Sequence, residues 1–183
     1  MYLHVCLSKA TVRLAHTLWL TLALVRFMRF TMESEILKFI LNNQGSVDTE
    51  ELVYNLWDYS LVTDILCKND KFVPCLSTDK KPRVVVRSSV TICRVKDCPG
   101  SCGHLHLCLA FLFSESCPFR RGCSFSHDLQ SDYNMEVLRE FGLEALNRTE
   151  LCLLLLQSNN TLLPPVSMAG RILFVHSIFY GQL

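Results

Sequence analysis

Apolar residues recur with a helical period in the segment that begins near residue 32. In "MESEILKFILNN" every third or fourth position is apolar, which predicts an amphipathic helix. Its stripe consists of Ile36, Leu37, Ile40 and Leu41. Gly45 follows as a helix breaker. The pattern therefore predicts that folded structure starts at about Met32.

Two further helices and a β-hairpin are predicted between residues 48 and 90. Asp48 and Glu51 have the spacing of a capping box, and Ser60 is a second candidate N-cap. The β-prone runs "KFVPCL" and "RVVVRSSV" flank the turn-forming "STDKKP". Three helices followed by a hairpin predict a winged-helix-like module over 32–90, a fold that often contacts DNA through its third helix.

A helical segment is predicted over 129–166. Ser131 can cap a helix that stops at Gly142, and Asn147 with Glu150 forms another capping box before "LCLLLLQ". Cys152 lies within that apolar run and is expected to be a core thiol rather than a metal ligand. This segment is expected to pack against its neighbours rather than to carry chemistry.

The two ends of the chain lack these patterns. Residues 1–31 contain no acid and form an apolar, basic extension of uncertain order, while 167–183 form a divergent tail. The uncharged run "LAHTLWLTLALV" is shorter than the roughly 20 residues of a membrane-spanning helix. A signal-peptide core, or an amphipathic or targeting helix, is the alternative to a simple extension.

Charge is segregated along the chain, although the formal net charge is only +1. Residues 32–67 carry seven acids and one lysine, whereas 68–96 carry eight basic residues and two acids. The predicted third helix carries only one lysine and one aspartate, and the helical module around it is acidic, which disfavours duplex DNA as its partner. The basic residues lie instead around the hairpin, where they contact a polyanion or form only a solvated face.

Six of the ten cysteines fall between residues 93 and 123, beside histidines. Such clustering is typical of metal ligation in a reducing compartment rather than of a disulfide framework. One set has the C-x4-C-x3-C-x3-H spacing and consists of Cys93, Cys98, Cys102 and His106. The other has the C-x8-C-x5-C-x3-H spacing of CCCH zinc fingers and consists of Cys108, Cys117, Cys123 and His127.

These two complete Cys₃His sets predict two structural zinc ions in tandem CCCH fingers over 91–128. His104 is then left over, as a surface residue or a neighbour of the first site. Only Leu107 separates His106 from Cys108, so the two fingers must share a rigid junction. Because the fingers contain little apolar sequence, metal binding is expected to fold them.

Aromatic and basic residues lie between the predicted ligands, as single-stranded RNA binding requires. The candidate RNA-binding residues are Arg94, Lys96, Phe119, Arg120, Arg121 and Phe125. The alternative for Phe125 is that its ring merely packs over the second zinc site. Leu109, Phe111, Leu112 and Phe113 are expected to form a small core beneath the second finger.

The finger pair, the junction "LHLC" and the downstream "NMEVLREFGLEALNRTELCLLLLQSNNTLLP" resemble a known family. It comprises the zinc-finger antiviral protein and the CCCH-containing mono-ADP-ribosyltransferases of the poly(ADP-ribose) polymerase family. The resemblance covers roughly 32–166. It implies a winged-helix-like module followed by CCCH fingers that bind RNA, often viral, in innate immunity.

The chain also departs from that family. The N-terminal region of the family has four fingers. This sequence has two and then diverges, without a catalytic ADP-ribosyltransferase domain. The RNA pocket of the antiviral protein has basic residues where this chain has Leu109 and Ser124. Its aromatic positions correspond here to Phe119 and Phe125. The resemblance therefore implies base stacking without CpG selectivity.

We predict a mainly α, non-enzymatic protein whose tandem fingers bind single-stranded RNA in antiviral or innate immune recognition. The alternative is a protein-interaction module in which the helical part binds a partner and the fingers are purely structural. No nucleophile–base pair, phosphate loop or open metal site supports an enzyme. We expect a cytoplasmic or nuclear protein with neither a small-molecule substrate nor a membrane partner.

Overall fold

A computed structural model of the chain describes residues 9–159 and Leu162, with side chains from Trp19 onward. Six α-helices and a three-stranded antiparallel sheet lie within this part. The helices are α1 (Lys9–Asn42), α2 (Thr49–Asn55), α3 (Tyr59–Lys68), α4 (Leu109–Ser114), α5 (Asp132–Glu140) and α6 (Arg148–Ser158). The strands are β1 (Ser46–Asp48), β2 (Phe72–Leu76) and β3 (Pro82–Val86). The predicted tail over 167–183 lies outside the described residues.

The first helix is much longer than its amphipathic stripe. α1 has 34 residues and begins at Lys9, so the predicted start near Met32 is an interior position of the helix. The stripe itself is buried as predicted, and consists of Ile36, Leu37, Ile40 and Leu41. The earlier part was missed because its apolar residues surround the helix and show no one-sided period.

A short strand follows α1 and was not predicted. Val47 of β1 pairs with Val84 of β3, and β3 lies at the centre of the sheet, between β1 and β2. Gly45 allows the chain to turn from α1 into β1, with φ at 80°. The Gly45 carbonyl accepts a 2.7 Å hydrogen bond from the side-chain amide (Nε2) of Gln157 in α6. Three residues are too few for an alternating pattern, so β1 depends on pairing across about forty residues of chain.

The caps of α2 and α3 correct two details of the sequence interpretation. Asp48 caps α2 as predicted, but its carboxylate accepts from the amide of Glu50, at 2.9 Å, rather than from Glu51. α3 is capped by Asp58, which accepts from the Leu61 amide, so Ser60 is not the cap. Asp58 is the cap because the helix begins at Tyr59, so that its carboxylate can accept from the Leu61 amide, which has no partner within the helix.

The predicted hairpin and the helical segment downstream of the fingers are confirmed. Strands β2 and β3 pair antiparallel, with Phe72 opposite Val86. Ser131 caps α5, and Asn147 forms the reciprocal capping box with Glu150 at the start of α6. Most of α6 is buried, and it packs against α1, α4 and β3.

One hydrophobic core joins the N-terminal helices to the cysteine-rich segment. Leu105, Leu107 and Leu112 belong to the same buried cluster as the α1 stripe and α6. Cys152 is 2% exposed in this core, and burial raises the pKa of its thiol to about 12. The prediction that Cys152 is a core thiol is confirmed. The core therefore supports the cysteine-rich segment on one side and leaves its other side in solvent.

Candidate metal centres

The first cluster is assembled by a short backbone pairing before the tight loop of cysteines. The Cys93 amide donates to the Leu105 carbonyl and the Leu105 amide donates to the Thr91 carbonyl, each at 2.9 Å. This pairing places Cys93 beside the end of the loop, close to His106. The ligand atoms of Cys93, Cys98, Cys102 and His106 all lie within 4.8 Å of one another. The structure thus brings together the first predicted set.

The second cluster is built around the start of α4. Cys108 is the N-cap residue of α4, and its amide donates to the Ser126 carbonyl at 2.8 Å. That bond places the chain just before His127 alongside Cys108. The ligand atoms of Cys108, Cys117, Cys123 and His127 also lie within 4.8 Å of one another. The second predicted set is brought together as well.

Both clusters fit zinc by the chemistry and spacing of their donors. In a tetrahedral site with Zn–S bonds of about 2.3 Å, two sulfurs lie about 3.8 Å apart. The Sγ atoms of Cys108 and Cys117 are 3.7 Å apart, far beyond the roughly 2.05 Å of a disulfide bond. The buried Nε2 of His127 has no hydrogen-bond partner in the described part of the chain. Two Cys₃His clusters of this kind are consistent with two zinc ions.

The surroundings of the first cluster stabilise a thiolate. Hydrogen bonds from the backbone at His104 and from the Tyr133 hydroxyl lower the pKa of Cys102 to about 6. In the second cluster, burial raises the pKa of the Cys108 thiol. The thiolate is the form that binds metal. Hydrogen bonds also lower the pKa of Cys117 in the second cluster, where burial opposes them, so each cluster has one thiol that ionises more readily.

An aromatic ring covers one histidine of each cluster. The Tyr133 ring lies 4.4 Å from the His106 ring, between centroids, and its hydroxyl is 3.6 Å from Cys102 Sγ. Phe111 stacks on His127 with centroids 4.9 Å apart. These contacts orient the imidazoles and limit water access to them. Phe111 was expected beneath the second finger, whereas Tyr133 was missed.

Asn134 of α5 joins the junction of the two fingers. Its side chain is fully buried, and its Oδ1 accepts from the His106 amide at 2.8 Å. Its Nδ2 donates to the carbonyls of His106, at 3.3 Å, and Asp128, at 2.9 Å. Asp128 directly follows His127 of the second cluster. One side chain thus fixes the last ligand of the first finger to the chain leaving the second.

Sequence reasoning missed Asn134, although a signal was present. It lies three and four residues before the apolar pair Val137 and Leu138, on the buried face of α5. A polar side chain on an apolar helix face requires a partner. His106 is 28 residues away in sequence and Asp128 is six, so the pattern indicates that Asn134 is bonded without indicating to what.

His104 lies outside both clusters. It is exposed, and its Nδ1 lies 2.6 Å from the Thr91 hydroxyl. His106, two residues later, contributes the imidazole of the first cluster, with its Nε2 3.2 Å from Cys102 Sγ. The expectation that His104 is a surface residue near the first site agrees with this placement.

The residues predicted to contact RNA are mostly on the surface. Phe119 is 71% exposed, and Arg120 and Arg121 follow it in an exposed turn of 3-10 helix. Arg94 and Lys96 are exposed in the loop between Cys93 and Cys98, and Phe125 is half-buried. The structure gives each of these side chains a position, and their contacts with RNA stay a prediction.

Comparison with known proteins agrees with this geometry. The family model of the PARP12-like CCCH zinc finger tandem matches residues 91–134. Residues 91–134 are a CCCH zinc-finger tandem of the PARP12 and antiviral-protein type. The matched range holds all eight ligands of the two clusters together with Tyr133 and Asn134. The predicted resemblance is therefore confirmed for this region.

Individual relatives extend the similarity over nearly half of the chain. Protein mono-ADP-ribosyltransferase PARP12 of Mus musculus is 40% identical over 93 residues, which are 46% of this chain and 13% of that protein. Zinc finger CCCH-type antiviral protein 1 of Mus musculus is 37% identical over 87 residues, 45% of this chain and 9% of that protein. Zinc finger CCCH-type antiviral protein 1-like of Homo sapiens is 39% identical over 92 residues, 47% of this chain and 30% of that protein. The chain thus matches less than a third of each relative's length.

Two further observations concern the rest of the chain. The match with the ADP-ribosyltransferase lies in its zinc-finger part, and no catalytic domain is evident in residues 9–159. Among the described helices, none has the length and apolar character needed to cross a bilayer.

Proposed function

We propose that the tandem fingers bind single-stranded RNA, with both zinc ions in a structural role. The observation that carries this proposal is the exposed Phe119 ring directly followed by two exposed arginines. An unpaired base can stack on such a ring while the guanidinium groups of Arg120 and Arg121 attract the neighbouring phosphates. Any base has a face that can stack, so this surface suits single strands of many sequences.

The zinc site holds that surface in place. Phe119 and both arginines lie between Cys117 and Cys123, two residues of the second cluster. The Arg120 amide donates to the Cys117 carbonyl at 3.1 Å, and the Gly122 amide donates to the Phe119 carbonyl at 2.9 Å. An aromatic ring on a turn tied down at both ends loses little freedom on binding. Zinc therefore contributes to recognition by fixing the turn.

The remaining candidate residues extend the surface. Phe125 precedes His127 in the same finger, and its ring is only half-buried, so it can contribute to stacking a second base. Arg94 and Lys96 supply positive charge on the first finger. Because relatives of this tandem include proteins named as antiviral, we place its function in antiviral or innate immune RNA recognition. The free thiols fit the cytoplasm or the nucleus.

We infer that the N-terminal module is winged-helix-like and supports this surface without reading duplex DNA. The order α1–β1–α2–α3–β2–β3, with β3 central, supports the inference. In α3, Lys68 forms an ion pair with Asp64, so the helix presents little net positive charge. Lys71 pairs with Glu33 at 2.6 Å. Arg83 donates to the carbonyl and hydroxyl of Ser46, so these two basic residues support the fold.

A second candidate function, binding of a protein partner, rests on a groove in this module. The groove has a volume of about 550 Å³ and lies between α2, α3 and strand β2. Tyr59 lines it, and Tyr54 of α2 and Trp57 on the turn that follows are almost fully exposed. Exposed aromatics beside an apolar groove are typical of protein contacts. In this alternative the zinc fingers are purely structural.

Fluorescence anisotropy of the zinc-loaded chain with labelled single-stranded RNA tests the first candidate. Loss of one stacked base should weaken binding by about 1–3 kcal/mol, so Phe119→Ala/Phe125→Ala should bind clearly less well. The matched control is Tyr54→Ala/Trp57→Ala, which removes two exposed aromatics from the other module and should leave RNA affinity unchanged.

Zinc content is measured for every variant, because a lost ion would imitate a lost contact. If the zinc-loaded chain does not bind RNA, or if duplex DNA displaces the RNA at equal concentration, the proposal is wrong. If the control pair weakens RNA binding as much as the finger pair, the RNA surface lies in the N-terminal module.

A further inference from the structure

We propose that the N-terminal half of α1 binds the surface of an anionic membrane. Between Trp19 and Phe30, eight large apolar side chains are each at least half exposed. Proteins in water rarely expose a continuous apolar patch of more than a few hundred Å². The buried stripe of α1 begins only at Ile36, so this earlier part of the helix lies outside the folded core. An apolar patch of this kind marks an interaction surface.

The distribution of these side chains around the helix indicates lipid rather than another helix. At 3.6 residues per turn, the eight positions leave no gap wider than about 60° around the axis. Trp19, Leu22, Leu24 and Phe27, for example, point in four different directions. A single partner helix or a flat protein face covers one stripe, whereas a helix apolar on all sides suits a medium that surrounds it.

The charge of this segment selects an anionic lipid surface. Residues 9–31 contain Lys9, Arg13, Arg26 and Arg29 and no acid. Arg29 forms a 2.7 Å ion pair with Asp64 of α3, which ties the helix to the domain. Arg26, which is exposed at the end of the apolar run, can meet a lipid phosphate. A second copy of the chain would instead place like charges against each other, which opposes self-association through this helix.

The length of the apolar run fixes the mode of binding. Twelve uncharged residues separate Arg13 from Arg26, a rise of about 18 Å along a helix. The hydrocarbon core of a bilayer is about 30 Å thick, so the segment enters one leaflet without crossing. The long side chain of Arg26, at the end of the run nearer the domain, can reach the headgroups. The zinc fingers, which pack on the same core as the C-terminal half of α1, would then be held at a membrane surface.

Vesicle co-sedimentation of the full zinc-loaded chain tests this proposal. We expect binding to phosphatidylcholine vesicles that contain phosphatidylserine, and weaker binding to phosphatidylcholine alone. Each basic residue near an anionic surface contributes a factor of about five, so Arg13→Gln/Arg26→Gln should lower the affinity about 30-fold. Leu22→Gln/Phe27→Gln should abolish sedimentation. The control Tyr54→Gln/Trp57→Gln changes two exposed aromatics elsewhere and should bind like the original chain.

Tryptophan fluorescence gives an independent readout. The chain has two tryptophans, so Trp57→Phe leaves Trp19 as the single reporter. Its emission should shift to shorter wavelength when anionic vesicles are added. An unchanged spectrum together with no sedimentation would overturn the proposal. Self-association in sedimentation velocity, with Trp19 shielded from a soluble quencher before any lipid is added, would also overturn it and assign the helix to a second copy.

Discussion

The two zinc fingers have the same ligand types but differ in their contacts with the rest of the molecule. The first has short loops and lies against α5, where Tyr133 covers His106 and Asn134 binds its backbone. The second has longer loops, and the turn that follows Cys117 projects Phe119 into solvent. Ligand type sets which metal is held, and loop length decides how much surface is free for a partner. The second finger also contacts the core, through Leu112 of α4, but it differs from the first in carrying an exposed aromatic turn.

The junction shows why the two fingers act together. Leu107, between the last ligand of one finger and the first of the next, is buried in the common core. Asn134 then spans the junction with three hydrogen bonds. The geometry of the exposed turn therefore depends on the contacts that Leu107 and Asn134 make at the junction. Four predictions test this division of roles.

Removal of one ligand from each finger should have the largest and most unequal effect. Cys98→Ser and Cys117→Ser should each lose one zinc ion, and structural zinc sites contribute about 10–16 kcal/mol to folding. Loss of the first ion should also loosen α5, because Tyr133 and Asn134 contact that finger. Loss of the second should leave α5 protected. Native mass spectrometry counts the ions and hydrogen exchange measures protection; equal exchange of α5 in both variants would contradict the comparison.

Truncation of the buried junction should come next. Leu107→Ala removes most of a fully buried side chain and should lower the free energy of unfolding by about 2–5 kcal/mol. The matched control is Leu76→Ala, an exposed leucine of β2, which should change stability by less than about 0.5 kcal/mol. Chemical denaturation at constant zinc measures both. Similar losses would mean that the junction is not part of the common core.

Replacement of Asn134 should have an intermediate effect. Asn134→Leu leaves the buried amide and carbonyl of His106 without partners, which should cost about 1–3 kcal/mol. Backbone resonances should shift in both fingers, because the same side chain also bonds to Asp128. Thermal unfolding and two-dimensional NMR provide the readouts. Shifts confined to the first finger would show that the fingers are not joined through Asn134.

Removal of the tyrosine hydroxyl should have the smallest effect and act on one finger only. Tyr133→Phe keeps the ring over His106 but loses the contact with Cys102 Sγ. Groups that support metal ligands typically change metal affinity by about 10-fold to 100-fold, and we expect the lower end because the ring remains. Competition with a coloured chelator resolves the two ions. Weaker binding at the second site would contradict the assignment of Tyr133 to the first.

Local sequence was enough to predict those features whose partners are near in the chain. Asp48, Ser131 and Asn147 cap helices by accepting bonds from amides two or three residues away. The spacing of each Cys₃His set likewise identifies its members, since a chelate loop must close over a few residues. Where a nearer acceptor competes, as Asp58 does with Ser60, the pattern gave the wrong cap but the right helix.

The tertiary structure decided the features that depend on distant partners. Strand β1 exists because β3 lies beside it, and Asn134 has a role because His106 is folded against α5. The N-terminal, apolar half of α1 also could not be predicted, because its apolar residues are not confined to one side of the helix. The sequence by itself determined the ligands, most caps and the chemistry of two zinc ions, because those are interactions between near neighbours. How each finger packs against the core, and which side chains remain exposed for a partner, followed only from packing between segments far apart in the chain.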